Sequence, residues 1–201
     1  MTFTYAAMGD SAGVGVGADD GRGYVQRVFD QLETMAPRAR LANLCISGAT
    51  SETVRAEQMA RAAAARPALV TLFVGANDLW RGTTTTRFGD NLDAVADTLA
   101  ATGARVIVGT VPNLAHAPAA ALAEQFLGID RAALERRAQA LNGELRRVAT
   151  ARGYELLDLY AVGLADQPHF FSADGFHPSS EGYAYWAEQL WPLVRRALVK
   201  G

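Results

Sequence analysis

The chain has 201 residues, of which half are hydrophobic, and its 19 basic and 21 acidic residues give a formal net charge of −2. A chain of this length is sufficient for one α/β domain with a sizeable buried core. Its charges form no long block of one sign, which disfavours nucleic acid or an anionic membrane as partner. We therefore expect one domain over residues 1–201 that acts on a small molecule.

The N-terminus is compatible with a cytoplasmic protein, and the single cysteine does not specify a compartment. MTFTYAAMGD lacks both the basic segment and the cleavage site of a signal peptide. No apolar run reaches the ~18 residues of a membrane-spanning helix. We expect a cytoplasmic protein without a membrane span. Cys45 has no cysteine partner, which excludes an intrachain disulfide, and its apolar neighbours in LANLCIS predict a buried free thiol.

Short apolar runs alternate with longer segments of helical period, a pattern typical of a parallel sheet covered by helices. We predict strands near residues 3–8, 40–46, 68–74, 105–111 and 155–160. Helices are predicted at 22–36, 51–65, 88–102, 131–151 and from about Ser180 onward, with a kink or break at Pro192. The stretch 112–130 is long for a connection, which predicts a partly helical insertion beside a site.

The apolar face of each helix is expected to point into the core. The residues assigned to these faces are Val25, Val28, Phe29, Leu32 and Met35 in the first helix, Leu92, Val95 and Leu99 in the third, Leu134, Leu141, Leu145 and Val148 in the fourth, and Trp186, Leu190 and Leu193 in the last.

Segments rich in glycine and polar residues follow the predicted strands: GDSAG, SGATS, GAND, TVPN and, beyond the last strand, SADGFHPSSEG. Each segment alone is ordinary turn chemistry. In an open parallel sheet, however, ligands bind outside the carboxyl ends of the strands, which lie along one edge. The convergence of these segments at that edge predicts a site.

Ser11, after the first strand, needs a base to act as a nucleophile, because a free hydroxyl is almost wholly protonated at neutral pH. His116 lies in the 112–130 insertion, whereas His169 and His177 follow the last strand. Both of the latter have an aspartate three positions earlier, so spacing does not separate them. His177 precedes Pro178 and a helix start, a rigid context that favours it over the looser loop of His169.

GDS at 9–11, Gly48 in SGAT, GAND at 75–78 and DGFHP at 174–178 occur in the order typical of the GDSL-type esterases and lipases. The chain resembles this family, the SGNH hydrolase superfamily, along nearly its whole length. The resemblance implies a flavodoxin-like, three-layer α/β/α sandwich with a central parallel sheet of about five strands. Ala12 and Val14 differ from many members, which affects only the expected substrate preference.

The same resemblance implies a serine hydrolase that cleaves carboxylic esters through an acyl-serine intermediate, without a cofactor. Ser11 would attack the acyl carbonyl, His177 would accept and return the proton, and Asp174 would orient the imidazole. The oxyanion would be bound by the backbone N–H groups of Ser11 and Gly48 and by the side-chain amide of Asn77.

Other residues near the predicted site receive more modest interpretations. Asp10 and Asp78 are interpreted as structural hydrogen-bonding residues.

The three histidines are far apart in the sequence and no compact metal-ligand motif is present, so we predict no metal site. The apolar side chains expected near the site favour a small or short-to-medium acyl substrate, with Arg81 facing an anionic group or solvent. These side chains are Trp80, Leu114 and Phe176, together with Phe170 and Phe171.

Two alternatives to the esterase remain open. An acyltransferase would use the same triad to pass the acyl group from Ser11 to another alcohol. A nucleotide- or flavin-binding module would use the glycines after the first strand to bind phosphate. The chain, however, has neither GxGxxG at a helix start nor GK[ST], and no acidic residue ends the second strand.

Overall fold

The structure, a computed structural model, describes residues 3–199. In this part of the chain the strands are β1 Thr4–Gly9, β2 Arg40–Asn43, β3 Leu69–Phe73, β4 Arg105–Gly109 and β5 Glu155–Leu157. They form one parallel sheet in the order β2-β1-β3-β4-β5. In its register, Tyr5 of β1 pairs with Leu41 of β2 and with Leu69 of β3. The predicted parallel sheet is confirmed.

Helices connect successive strands. They are α1 Ser11–Val14, α2 Tyr24–Met35, α3 Ser51–Thr53, α4 Met59–Ala64, α5 Ala76–Arg81, α6 Thr85–Ala100, α7 Pro118–Leu127, α8 Arg131–Arg152 and α9 Ser180–Val199. A π-helical stretch, Val54–Gln58, joins α3 to α4, and short 3₁₀ turns occupy Leu164–Asp166 and Pro168–Phe170.

Alternation along the strands distributes the core over both faces of the sheet. Tyr5 and Ala7 pack in a cluster with the buried faces of α2 and α9, whereas Ala6 and Met8 pack in a second cluster with those of α6 and α8. The result is the predicted α/β/α sandwich. Among residues 3–199, no helix combines the length and apolar character that crossing a membrane requires.

Most of the predicted helix faces are buried, but several details of the prediction are wrong. Met35, the last residue of α2, is 52% exposed. The helix α9 continues through Pro192, so the predicted break is wrong, while a kink there stays a prediction. Cys45 is free, as predicted, and although the residue is partly exposed it packs against the core, where burial raises the pKa of its thiol well above the usual range.

Four of the five strands are shorter than predicted, β2 and β5 by the most, and two helices were not predicted. β2 ends at Asn43, although Leu44 and Ile46 still donate backbone hydrogen bonds to β1. β5 ends at Leu157, where the chain turns. The helices α1 and α5 are too short to show a period in the sequence. The 112–130 insertion is partly helical, as predicted, because it contains α7.

Candidate active site

Ser11 is the first residue of α1 and lies directly beyond the carboxyl end of β1. β1 ends at Gly9, where a Cβ would lie 2.2 Å from the carbonyl oxygen of Phe73 on β3, so glycine permits this close approach. The carboxylate of Asp10 accepts a hydrogen bond of 3.0 Å from the N–H of Ala12 and so caps α1. The Ser11 residue is 5% exposed.

His177 and Asp174 reach Ser11 from the loop between β5 and α9. This loop folds back on itself, because Ser172 N–H donates to the His177 carbonyl at 2.8 Å. The Nε2 atom of His177 lies 2.9 Å from Ser11 Oγ, and its Nδ1 atom lies 2.6 Å from Asp174 Oδ2. Serine, imidazole and carboxylate therefore form one continuous hydrogen-bonded row.

The Asp174 carboxylate is held ionised by its surroundings. Partial burial by itself would raise its pKa, but hydrogen bonds from the His177 ring, from the backbone N–H groups of Phe176 and His177 and from the Ser172 hydroxyl outweigh that effect. The pKa of Asp174 consequently lies well below its usual range. A carboxylate that stays charged is suited to stabilise an imidazolium beside it.

Asp10 has a different environment from Asp174. Burial raises the pKa of Asp10 to about 6, although the hydrogen bond from the Ala12 N–H and the attraction of His177 lower it, and the Asp78 charge raises it further. Asp10 acts as a hydrogen-bonding residue of the loop, in line with its interpretation from the sequence.

Gly48 lies in the loop that follows β2, and Asn77 is the second residue of α5, which follows β3. β2 and β3 flank β1 in the sheet. The Nδ2 atom of Asn77 donates to the Ala49 carbonyl at 3.0 Å, which leaves its second hydrogen for another acceptor. Gly48 has a φ of +77°, a left-handed conformation that a side chain disfavours, while a Cβ there would meet only Arg81, at 3.6 Å. Backbone conformation, rather than space, therefore accounts for glycine at this position.

An apolar cavity of about 60 Å³ opens beside Ser11 and His177. Of the predicted substrate-binding residues, Leu114 and Phe176 line this cavity. Trp80 is absent from its wall and instead contacts Phe176 edge to face, with ring centroids 6.0 Å apart. Phe170 and Phe171, also expected near the site, line the cavity too. Other wall residues are Phe73, Val74, Val111, Pro112, Leu164 and Trp186.

The two remaining histidines lie in other environments. Nδ1 of His116 is 2.6 Å from Asp166 Oδ1, and the Nε2 atom of His169 is 3.9 Å from Glu181 Oε1. Within residues 3–199, no three histidine, cysteine, aspartate or glutamate side chains group in a way that could hold a metal ion.

A buried glutamine, which the sequence did not single out, holds the end of β1 close to Ser11. Gln58, in the π-helical stretch, accepts from the Gly9 N–H and donates to the Gly9 carbonyl, both at 2.8 Å. It thereby pairs with the end of β1 as a neighbouring strand would, two residues before Ser11. Its position in an otherwise helical sequence gives no signal of this role.

With this geometry described, comparison with known proteins identifies the family. The model of the GDSL-like lipase/acylhydrolase family matches residues 7–185. The chain belongs to this family. Esterase TesA of Pseudomonas aeruginosa is 27% identical over 198 residues, which cover 97% of this chain and 89% of TesA.

Two further comparisons agree with the family assignment. The GDSL-like esterase Rv1075c of Mycobacterium tuberculosis is 32% identical over 175 residues, which cover 84% of this chain and 53% of Rv1075c. A crystal structure of TesA superposes with a TM-score of 0.79 at 25% identity, covering 96% of this chain and 99% of that one. This GDSL-family chain is accordingly a carboxylic ester hydrolase, and the acyltransferase alternative is not favoured.

Proposed function

We propose that this GDSL-family esterase works through an acyl-serine intermediate with Ser11 as nucleophile. The observation that carries the proposal is the hydrogen-bonded row from Ser11 through His177 to Asp174, with distances of 2.9 Å and 2.6 Å. His177 removes the Ser11 proton during attack and returns it to the leaving alcohol. Asp174 holds the imidazole orientation and stabilises its cation. A water molecule then repeats the sequence and releases the acid.

The oxyanion hole is proposed to comprise the N–H groups of Ser11 and Gly48 and the free amide hydrogen of Asn77. In residues 3–199 neither backbone N–H donates to a protein acceptor, so both remain available to an oxyanion. Each such donor typically contributes ~3–4 kcal/mol to lowering the barrier.

The acyl group is proposed to enter the cavity bounded by Leu114 and Phe176, with Trp80 supporting Phe176 from outside it. One water-sized sphere takes up ~10–15 Å³, so about 60 Å³ accommodates a short acyl chain. Substrates are therefore small, short-chain esters.

The test is Ser11→Ala together with a graded series of p-nitrophenyl esters. Loss of hydrolysis in a folded Ser11→Ala variant, and a kcat/KM that falls from acetate and butyrate to octanoate and laurate, are expected. A folded variant with comparable activity would remove Ser11 as nucleophile. A maximum at laurate would contradict the acyl site while leaving the nucleophile untouched.

Two broader expectations accompany this mechanism. We propose that residues 1–201 act as one domain, which is supported by the family match over residues 7–185 and by the single sheet. Cytoplasmic location stays a prediction from the sequence, and cell fractionation tests it.

A further inference from the structure

The proposed oxyanion donors Gly48 and Asn77 come from separate chain segments, on either side of β1. Hydrogen bonds weaken steeply as their geometry departs from the optimum, so both donors must be held at a fixed separation before substrate binds. The contacts between the Gly48 loop and α5 therefore bear directly on catalysis.

A buried carboxylate makes the strongest of these contacts. Asp78 Oδ2 accepts from the backbone N–H of Ser51 at 2.8 Å, and its Oδ1 accepts from the Ser51 hydroxyl at 2.7 Å. Asn91 Nδ2 in turn donates to Ser51 Oγ at 3.1 Å. Asp78 and Asn91 are 0% exposed and Ser51 is 1% exposed. All three side chains are thus shielded from competing water.

Two weaker contacts join the same segments. The Asn77 amide donates to the Ala49 carbonyl at 3.0 Å, and the exposed Arg81 donates to the Gly48 carbonyl at 3.3 Å. Asn77 contributes here the same amide that is proposed to bind the oxyanion. An exposed, long side chain such as Arg81 fixes little, because water competes for it and its ordering costs entropy.

We propose that Asp78 and Ser51 are a positioning pair that fixes Asn77 relative to Gly48 in the oxyanion hole. Asp78 adjoins Asn77 in α5, and Ser51 lies three residues after Gly48. Burying a carboxylate costs free energy unless its hydrogen bonds are strong. Hydrogen bonds to a charged acceptor are about twice as strong as neutral ones, so the pair holds its geometry tightly. The inference rests on the proposed roles of Gly48 and Asn77.

The test compares kcat, KM and melting temperature for Asp78→Asn and Ser51→Ala with p-nitrophenyl acetate as substrate. Oxyanion donors that are no longer held in place stabilise the transition state less but affect substrate binding little. We therefore expect kcat to fall about 10- to 100-fold and KM to stay within about twofold. Ser51→Ala removes only one hydroxyl and decides the question if Asp78→Asn does not fold.

Thr71→Val is the matched control for general destabilisation. It removes the buried hydroxyl that lies 2.9 Å from Tyr5 OH in the middle of the sheet, away from both oxyanion loops. This variant is expected to melt at a lower temperature with unchanged kcat. If Ser51→Ala and Asp78→Asn also lower only the melting temperature, the pair is merely structural and the proposal is wrong.

A double-mutant cycle with Asn77→Ala separates this inference from the mechanism on which it rests. Once the Asn77 donor is gone, Ser51→Ala should lower kcat clearly less than it does in the wild type. Equal losses in both backgrounds would overturn the positioning role. If Asn77→Ala itself leaves kcat unchanged, the proposed oxyanion hole fails, and the positioning role fails with it. If Asn77→Ala is slow while both pair variants have normal kcat, the positioning role alone is refuted.

Discussion

Replacing Asp10 by asparagine is expected to stabilise the fold at neutral pH while slowing the reaction. Asp10 is 6% exposed, and burial is the main reason that its pKa rises to about 6. Asparagine has nearly the same shape and keeps an oxygen that can accept the hydrogen bond from the Ala12 N–H. The substitution therefore removes a buried charge without opening a cavity.

The size of the stabilisation follows from the difference between the pKa of buried Asp10, about 6, and the ordinary Asp pKa of 3.8. At 1.36 kcal/mol per pH unit, ionised Asp10 costs the folded state about 3 kcal/mol. The folded protein binds the extra proton between about pH 4 and pH 6, so this penalty grows with rising pH and is complete above about pH 6. Below pH 4 the free energy of unfolding of Asp10→Asn should therefore equal that of the wild type as far as this charge is concerned. At pH 7.5 it should be about 3 kcal/mol higher.

Urea unfolding of both proteins at pH 4 and pH 7.5 measures this difference. Asp19→Asn, the same change at an exposed carboxyl, controls for the loss of one negative charge. A gain from Asp10→Asn that is the same at both pH values would refute the reasoning. Turnover should fall about three- to tenfold, because Asp10 no longer attracts the imidazolium that forms at His177 during attack.

The remaining predictions concern the proposed catalytic groups. His177→Ala should lower kcat by several orders of magnitude, the double variant with Ser11→Ala should be little worse, and His169→Ala should keep most activity. Asn77→Ala should lower kcat by ~10²–10³ with KM little changed, and Asn77→Asp should be at least as damaging because it places a carboxylate beside the developing oxyanion. A chelator such as EDTA should leave activity intact, whereas a serine-directed phosphonate should add one adduct, located by mass spectrometry on the peptide that contains Ser11.

Each of these measurements has an outcome that would contradict it. A larger loss in His169→Ala than in His177→Ala would exchange the two histidines as candidate base. An Asn77→Ala variant that loses melting temperature but keeps kcat would make Asn77 a turn residue. Labelling of another peptide by the phosphonate would place the nucleophile elsewhere.

Features with a long period or a long apolar run could be predicted from the sequence. The central strands β3 and β4 are almost entirely apolar because helices cover both faces of the sheet, and the buried face of α8 recurs from Leu134 to Ala149. Ser11 and His177 could be expected near each other because both follow carboxyl ends of strands in one parallel sheet. Sheet topology alone thus brings residues from opposite ends of the chain to one edge.

Features that depend on a single tertiary contact could not be predicted. Gln58 reads as one polar residue on a helix, and only the folded chain shows it pairing with both backbone groups of Gly9. Ser51 reads as an ordinary helix start, although its buried hydroxyl binds Asp78. Trp80 was expected at the substrate because it follows GAND, but the helical turn of α5 carries it away from the cavity wall.

The hydrogen bond between Ser11 and His177 joins residues 166 positions apart. Closing a loop of that length costs conformational entropy that local structure does not repay, so this bond forms only when the C-terminal helix has docked beside β1. During synthesis Ser11, the proposed nucleophile, emerges 166 residues before His177, its proposed base. If the proposed roles are correct, we expect Ser11 to stay inert until His177 has docked, so that esterase activity during refolding appears only when the two ends of the domain have come together.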